Sequence, residues 1–65
     1  MKFRQVSKRK WSADGGDFTI ECESVWGEVF FRAEAYDGQM DTFHTLDAAQ
    51  HWLEHDYEGL HGAPL

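Results

Sequence analysis

Two histidines, His51 and His55, stand four residues apart, a spacing that places both imidazole rings on one side of a helix. A pair of imidazoles at this spacing can share one zinc ion. A zinc protease, however, would carry Glu directly after the first histidine, where this chain has Trp52. No third ligand stands at a diagnostic spacing, the possibilities being His44, Glu58 and His61. The pattern leaves open a metal-dependent enzyme and an ordinary polar helix face, and it favours the polar face.

Cys22 is the single cysteine of the chain, so no disulfide can form within it. It alternates with Phe18 and Ile20, and a free thiol on such an apolar side usually packs as a small hydrophobe. A catalytic thiol would need a neighbouring base and an accessible, polarised sulfur. Glu34 and Asp41 could shift one another's pKa as an acid/base pair, but an open sheet offers them no pocket. We therefore expect no enzyme activity and no cofactor.

Charge is divided unequally along the chain. Five of the six basic residues lie within residues 1–10, which contain no acid. Residues 11–65 carry Arg32 alone against all twelve acidic residues, a net charge of −11. Such a field repels nucleic acid and attracts basic protein surfaces. The basic segment could contact a nucleic-acid backbone, or it could pair with an acidic strand and neutralise it; we favour the pairing.

The length of 65 residues fits one domain with a thin core, which we assign to residues 1–65 with a loose tail at 61–65. Ten aromatic residues supply large apolar side chains that can fill such a core. No apolar run is long enough to span a membrane, and no apolar stretch follows the basic N-terminus as in a signal peptide. These features predict a cytoplasmic protein, as a monomer or homodimer.

Alternating apolar and polar residues predict four strands, at 2–11, 18–25, 29–36 and 39–43. Turn-forming residues separate them, with the cluster 12–17 after the first strand and Asp37-Gly38 as a two-residue loop before the last. A turn at 25–28 would give the cross-strand pairs Ser24–Val29, Cys22–Phe31 and Ile20–Ala33. The Asp37-Gly38 loop would give the pairs Tyr36–Gln39, Ala35–Met40 and Glu34–Asp41. In this register every inward residue meets another inward residue.

A helix is predicted to follow the last strand. Thr45 is a suitable N-cap, and Asp47 in the first turn suits the helix dipole. Apolar residues recur at helical spacing, and Gly59 is a plausible C-terminal stop. The apolar stripe consists of Leu46, Ala49, Trp52, Leu53 and Tyr57. The expected fold is α+β, a four-stranded antiparallel meander with one C-terminal helix packed on one face, covering Phe18, Ile20, Cys22, Phe31 and Met40.

The opposite sheet face would then stay uncovered and acidic. Around Arg32 the register places four carboxylates, those of Glu21, Glu23, Glu34 and Asp41, with Glu28 and Asp37 at the strand ends. Among them it places three rings, those of Phe30, Tyr36 and Phe43. Charged groups mixed with aromatic rings are typical of protein interfaces, although an ordinary solvated face would also contain strand-forming aromatics. We interpret this face as a site for a basic protein partner.

Two resemblances bear on function. The segment from Phe43 to Trp52 is similar to the junction that leads into the helix of integrase arm-DNA-binding domains, whose open sheet face is basic and enters the DNA major groove. That resemblance implies a DNA-binding accessory module, here using the basic N-terminal strand.

In size, acidity, low cysteine content and architecture the whole chain resembles the small anti-CRISPR proteins of phages and mobile elements. This second resemblance implies a non-enzymatic inhibitor whose acidic surface mimics DNA phosphates and blocks the DNA- or PAM-binding surface of a CRISPR effector, a type I effector in our interpretation. If the protein derives from a phage, the resemblance places it in the cytoplasm of a bacterial host cell. The sequence as a whole favours the inhibitor, with the DNA-binding module as the alternative.

Overall fold

A computed structural model describes residues 2–57 of the chain. Five strands form one antiparallel sheet in sequence order: β1 (Arg4–Ser7), β2 (Lys10–Ala13), β3 (Phe18–Val25), β4 (Glu28–Glu34) and β5 (Met40–Phe43). A helix, α1 (Leu46–His51), follows and continues as a π-helical turn, Trp52–Asp56. The fold is therefore α+β with a C-terminal helix on a meander sheet, as predicted, but the sheet has five strands where four were expected.

The central hairpin, β3 with β4, agrees with the predicted register. Cys22 lies opposite Phe31, and Ile20 lies opposite Ala33. The loop contains two residues, Trp26 and Gly27, both with positive φ (53° and 81°). Positive φ at both central positions defines a type I′ turn, whose twist matches that of the flanking strands. The alternating pattern and a short turn were enough to fix this register.

The predicted first strand at 2–11 is wrong, because the chain reverses within it. Lys8 and Arg9 form a two-residue turn between β1 and β2, and a β-bulge shifts the register between Gln5 and Ser7. The predicted turn cluster at 12–17 consequently begins too early, since β2 runs to Ala13 before a short 3₁₀ turn. The expected pairing of the basic segment with the acidic strand is confirmed for Lys10, which lies opposite Glu21. It does not extend to the other basic residues of the segment, since Arg4 pairs with β2 and Lys8 and Arg9 lie in the turn.

The second hairpin has a three-residue loop instead of the predicted two-residue loop. The N–H of Gly38 donates to the carbonyl oxygen of Ala35 at 3.0 Å. The N–H of Ala35 donates to the carbonyl oxygen of Gln39 at 2.9 Å. Gly38 has φ of 91°, so this is a type I turn closed by a left-handed glycine. The register of β5 shifts by one residue, and Glu34 lies opposite Met40. Every β5 side chain therefore points to the face opposite the predicted one.

The helix packs on one sheet face, and the core lies between them. As predicted, the hydroxyl of Thr45 caps the helix by accepting the N–H of Ala48 at 3.1 Å, and the predicted apolar stripe packs on the core. The buried cluster holds Ile20, Ala33, Ala35, Ala49 and Leu53. Three of these five are alanines, which brings helix and sheet close together while the surrounding rings fill the margins. The predicted stop at Gly59 and the tail at 61–65 lie outside the described residues.

Candidate protein-binding face

The sheet face opposite the helix is built mainly from β3 and β4. Cross-strand partners share a face, and the buried pair Ile20 and Ala33 points toward the helix. The alternate residues therefore point away from it. We call four of them, Glu21, Glu23, Glu28 and Glu34, the outer acidic face. Four of the predicted carboxylates thus share the side of the sheet that the described helix leaves uncovered.

Arg32 lies in the middle of this face and bridges two of the carboxylates. Its Nη2 is 3.1 Å from Oε1 of Glu21, and its Nη1 is 3.4 Å from Oε1 of Glu23. The side chains are about a third exposed (34–40%), so water screens these pairs and each contributes at most about 1 kcal/mol. Within residues 2–57 neither Glu28 nor Glu34 forms an ion pair. These two carboxylates are the ones most open to an external cation.

The apolar part of the outer acidic face includes Phe30 and Met40, with Val25 opposite Glu28 at the hairpin end. Phe30 lies opposite Glu23, and its half-buried ring is 5.5 Å from the His44 ring, centroid to centroid. Met40 is 53% exposed and lies opposite Glu34. The placement of Phe30 is as predicted, whereas Met40 was expected under the helix. The one-residue register shift of β5 moves its thioether out beside the carboxylates.

Three residues predicted on the outer face lie on the helix side instead. Asp41 is opposite the buried Ala33, so its exposed carboxylate points to the opposite side of the sheet from Glu34. The Phe43 ring packs 5.8 Å from the Trp52 ring, in the core margin. Tyr36 lies in the three-residue loop. The corrections for Asp41 and Phe43 follow from the β5 register, and the correction for Tyr36 follows from the length of the loop.

The Tyr36 ring contacts a helix-side residue. It meets the Phe18 ring edge-on at 5.8 Å, and Phe18 in turn packs against Tyr57 at the same distance. Phe18 belongs to the side of β3 that carries Ile20, beneath the helix. Tyr36 is nevertheless 44% exposed, so its ring covers the core margin on one side and faces water on the other. It closes the core at this end of the sheet and is separate from the outer acidic face.

Asp37, also predicted to bind the partner, has its carboxylate engaged within its own loop. Oδ1 accepts the backbone N–H of Gln39, and Oδ2 accepts the Gln39 side-chain amide, each at 3.1 Å. Burial raises the pKa of Asp37, but interactions with the Tyr57 hydroxyl and with Gln39 outweigh it and hold this pKa below its usual value of 3.8. Burial and the neighbouring Asp37 carboxylate raise the pKa of Tyr57, whose buried hydroxyl oxygen lacks a hydrogen-bond partner of good geometry among the described residues.

The lowered pKa of Asp37 makes a testable link between pH and stability. The folded protein holds the ionised Asp37 carboxylate more favourably than the unfolded chain does, so ionisation of Asp37 stabilises the fold. This stabilisation is complete above the pKa that Asp37 has in the unfolded chain, and it disappears as pH falls through the lower pKa of the folded protein. Asp37→Asn should therefore lower the urea midpoint at pH 6 and have little effect near pH 2. The control is Asp17→Asn, at an exposed position in the turn before β3. An equal effect of Asp37→Asn at both pH values would contradict the assignment.

The histidine pair and the single cysteine were the candidates for metal binding and for catalysis. The rings of His51 and His55 are 4.7 Å apart, and Nδ1 of His51 is 3.3 Å from Oδ2 of Asp56. Within residues 2–57 no three acidic, histidine or cysteine side chains are grouped to hold a metal ion, and Glu58 and His61 lie outside this range. Cys22 is half-buried on the helix side, opposite Phe31.

The structure adds a residue that the sequence analysis did not single out, Trp26. Its side chain is 99% exposed at the tip of the β3–β4 hairpin. Val25 and Val29, beside it in the two strands, are 51% and 48% exposed. One signal was present in the sequence: the position before Gly27 in such a turn favours Asn or Asp, and a tryptophan there serves neither the turn nor the core.

The basic segment borders a second surface feature, a shallow depression of about 450 Å³. Two basic residues, Lys2 and Arg4, and one acidic residue, Asp14, line it together with Ser12, Ala13 and the Gly15-Gly16 turn. Lys8 and Arg9 are exposed at the β1–β2 turn, whereas Lys10 faces Glu21. The basic residues are therefore divided among three places.

Among the described residues, no helix combines the length and the apolar character needed to cross a membrane. Comparison of the chain with protein-family models, with curated proteins and with solved structures finds no match.

Proposed function

We propose that this protein is a non-enzymatic binding domain whose outer acidic face occupies a cationic surface of a nucleic-acid-binding protein assembly. The observation that carries the proposal is the placement of Glu21, Glu23, Glu28 and Glu34 on the sheet face opposite the helix, which no helix within residues 2–57 covers. Carboxylates gathered on one face raise the local negative potential and steer a positively charged partner toward it.

The contacts of Arg32 illustrate the chemistry that a partner would use. From β4 its guanidinium reaches two carboxylates of the neighbouring strand β3, those of Glu21 and Glu23, as an arginine from a DNA-binding groove would contact two acceptors. Glu28 and Glu34 offer further carboxylates along β4, and Phe30 with Met40 add apolar contact between the strands. An interface of this kind gains on-rate and specificity from charge, and its affinity depends on the apolar contacts at its centre.

Anti-CRISPR proteins that imitate DNA provide the functional class that suits this surface. A type I CRISPR effector holds its target DNA with lysine and arginine side chains, and a carboxylate surface would compete for them. In this proposal the protein acts stoichiometrically, and the partner-binding set consists of Glu21, Glu23, Glu28, Glu34 and Phe30. Asp41, Asp37 and Tyr36 no longer belong to it, because their side chains lie elsewhere.

The test is a competition on a purified type I effector loaded with its guide RNA. A fluorescent duplex that carries the target and its PAM is bound first, and the protein is then titrated in. We expect displacement of the duplex at a fixed stoichiometry, and weaker displacement as salt is raised, because charge pairs are screened. Binding of protein and duplex to the effector at the same time, or no binding of the protein at all, would contradict the proposal.

A second candidate function is a DNA-binding accessory module. It is favoured by the exposed Lys8-Arg9 turn and by Lys2 and Arg4 at the open depression. If it is correct, the protein alone should bind duplex DNA with a salt-dependent affinity, and Lys8→Gln/Arg9→Gln should weaken binding severalfold for all sequences alike. Fluorescence anisotropy with labelled duplexes decides between the candidates, since an acidic mimic should leave free DNA unbound.

A further inference from the structure

Residues 23–30, the end of the β3–β4 hairpin, extend beyond the rest of the sheet; we call them the β-arm. On one side, β2 reaches only to Lys10 opposite Glu21, with one more hydrogen bond from the Cys22 N–H to the Arg9 carbonyl oxygen. On the other side, β5 pairs as far as Phe43 opposite Phe31. Among the described strands, the residues of the β-arm therefore pair only with one another.

Trp26 at the tip of the β-arm is costly for folding. A φ of 53° places a large side chain in the left-handed region, where the Cβ atom crowds the backbone of any residue other than glycine. With 99% of its side chain exposed, the indole gains no packing that would offset this strain. A strained residue with a large exposed apolar ring indicates a role outside the fold.

The charges of the β-arm define the ligand that would suit the indole. Residues 23–30 contain Glu23 and Glu28 and no basic residue. Carboxylates at this position repel DNA phosphates and anionic lipid headgroups. An indole face, in contrast, attracts a cation more strongly than other aromatic rings do, and arginine is the cation that most often stacks on it.

We infer that the tip of the β-arm is an anchor for an arginine-rich protein segment, with a guanidinium stacked on Trp26 and its N–H groups donating to Glu28. This inference rests on the proposed function in one respect, that the partner is cationic, and it names the partner chemistry as guanidinium. Val25 and Val29 lie on opposite faces of the β-arm and supply apolar contact on either side of the tip.

The experiment compares the wild type with Trp26→Asn, using labelled oligo-arginine and oligo-lysine peptides of equal length as probes. Asn-Gly is the favoured pair for a type I′ turn, so the variant should unfold at a higher urea concentration than the wild type. Its affinity for oligo-arginine should nevertheless fall roughly tenfold. The wild type should prefer oligo-arginine to oligo-lysine severalfold, and the variant should bind the two peptides alike.

Three results would overturn this inference. Unchanged oligo-arginine affinity in Trp26→Asn would remove Trp26 from the interface, and the proposed function would still stand if charge reversal at Glu34 weakened binding. A lower urea midpoint in Trp26→Asn would show that the indole supports the fold. Association of the wild type with phosphatidylcholine vesicles, lost in Trp26→Asn, would assign the tip to a membrane surface.

Discussion

Glu28→Lys/Glu34→Lys is expected to weaken binding to the cationic partner by roughly a hundredfold. The reversal replaces two attractive charges by two repulsive ones at the two ends of β4, both on the outer acidic face. Glu28 and Glu34 are preferable positions because neither pairs with Arg32. Substitution of Glu21 or Glu23 would break an ion pair with Arg32 and so disturb the contacts between β3 and β4. The measurement is the dissociation constant on the guide-loaded effector, with far-ultraviolet circular dichroism to establish that the variant is folded.

A matched variant separates position from net charge. Asp41→Lys/Asp56→Lys changes the net charge by the same four units, from −6 to −2, at two exposed acids outside the outer acidic face. If the sheet face is the interface, this variant should retain affinity within severalfold of the wild type, the residual loss reflecting long-range steering. Equal losses in the two variants would mean that overall charge, and no particular face, governs binding.

Ile20→Ala should remove a large part of the free energy of unfolding. Among residues 2–57, Ile20 is the largest fully buried side chain, with no exposed surface, and it lies opposite Ala33 in the core cluster beneath the helix. Removing buried methylene and methyl groups costs about 2–5 kcal/mol through lost burial and the cavity left behind. A domain of this size has a stability near the low end of about 5–15 kcal/mol, so the loss takes up much of it.

Urea unfolding followed by tryptophan fluorescence measures this effect, because Trp11 and Trp52 both pack against the core. The comparison is Val6→Ala on the edge strand β1, where the side chain is 48% exposed, and a change within about 0.5 kcal/mol is expected there. If Ile20→Ala lowers the free energy of unfolding by less than about 1 kcal/mol, the helix does not bury the sheet at this position.

The central hairpin was predictable because three signals agree there. Apolar residues alternate along β3, they alternate again in β4, and the short turn between them allows one register only. A slip by one residue would have pointed Ile20 and Ala33 into water, so the pattern itself excludes it. The helix was equally clear, since a capping Thr45 is followed by an apolar stripe at helical spacing.

The last strand was assigned to the wrong face because its apolar residues do not alternate. Met40 and Phe43 are three positions apart and cannot share one side of a strand, so the pattern permits either to point inward. The structure buries Phe43 against Trp52, and the aromatic ring covers more apolar surface than the thioether would. Gly38 suits a two-residue loop and a three-residue loop alike, so the turn chemistry did not decide between them.

The reversal at Lys8 and Arg9 was missed because neither residue marks a turn. Glycine, proline, asparagine and aspartate are the usual signals, and none occurs between Met1 and Trp11. The adjacent β-bulge between Gln5 and Ser7 also breaks the alternation that would have shown two short strands. The division of the basic residues among the turn, the depression and the pair with Glu21 therefore emerges only from the fold.

The most direct measurement is carboxyl footprinting of the complex between the protein and the guide-loaded type I effector. Carbodiimide coupling of an amine to each carboxylate, read by mass spectrometry with and without the effector, reports which acids the partner covers. We expect protection of Glu21, Glu23, Glu28 and Glu34, and unchanged labelling of Asp41, Asp47 and Asp56. Protection of the second group, or uniform labelling of both groups in a protein that does bind, would contradict the assignment of the sheet face as the interface.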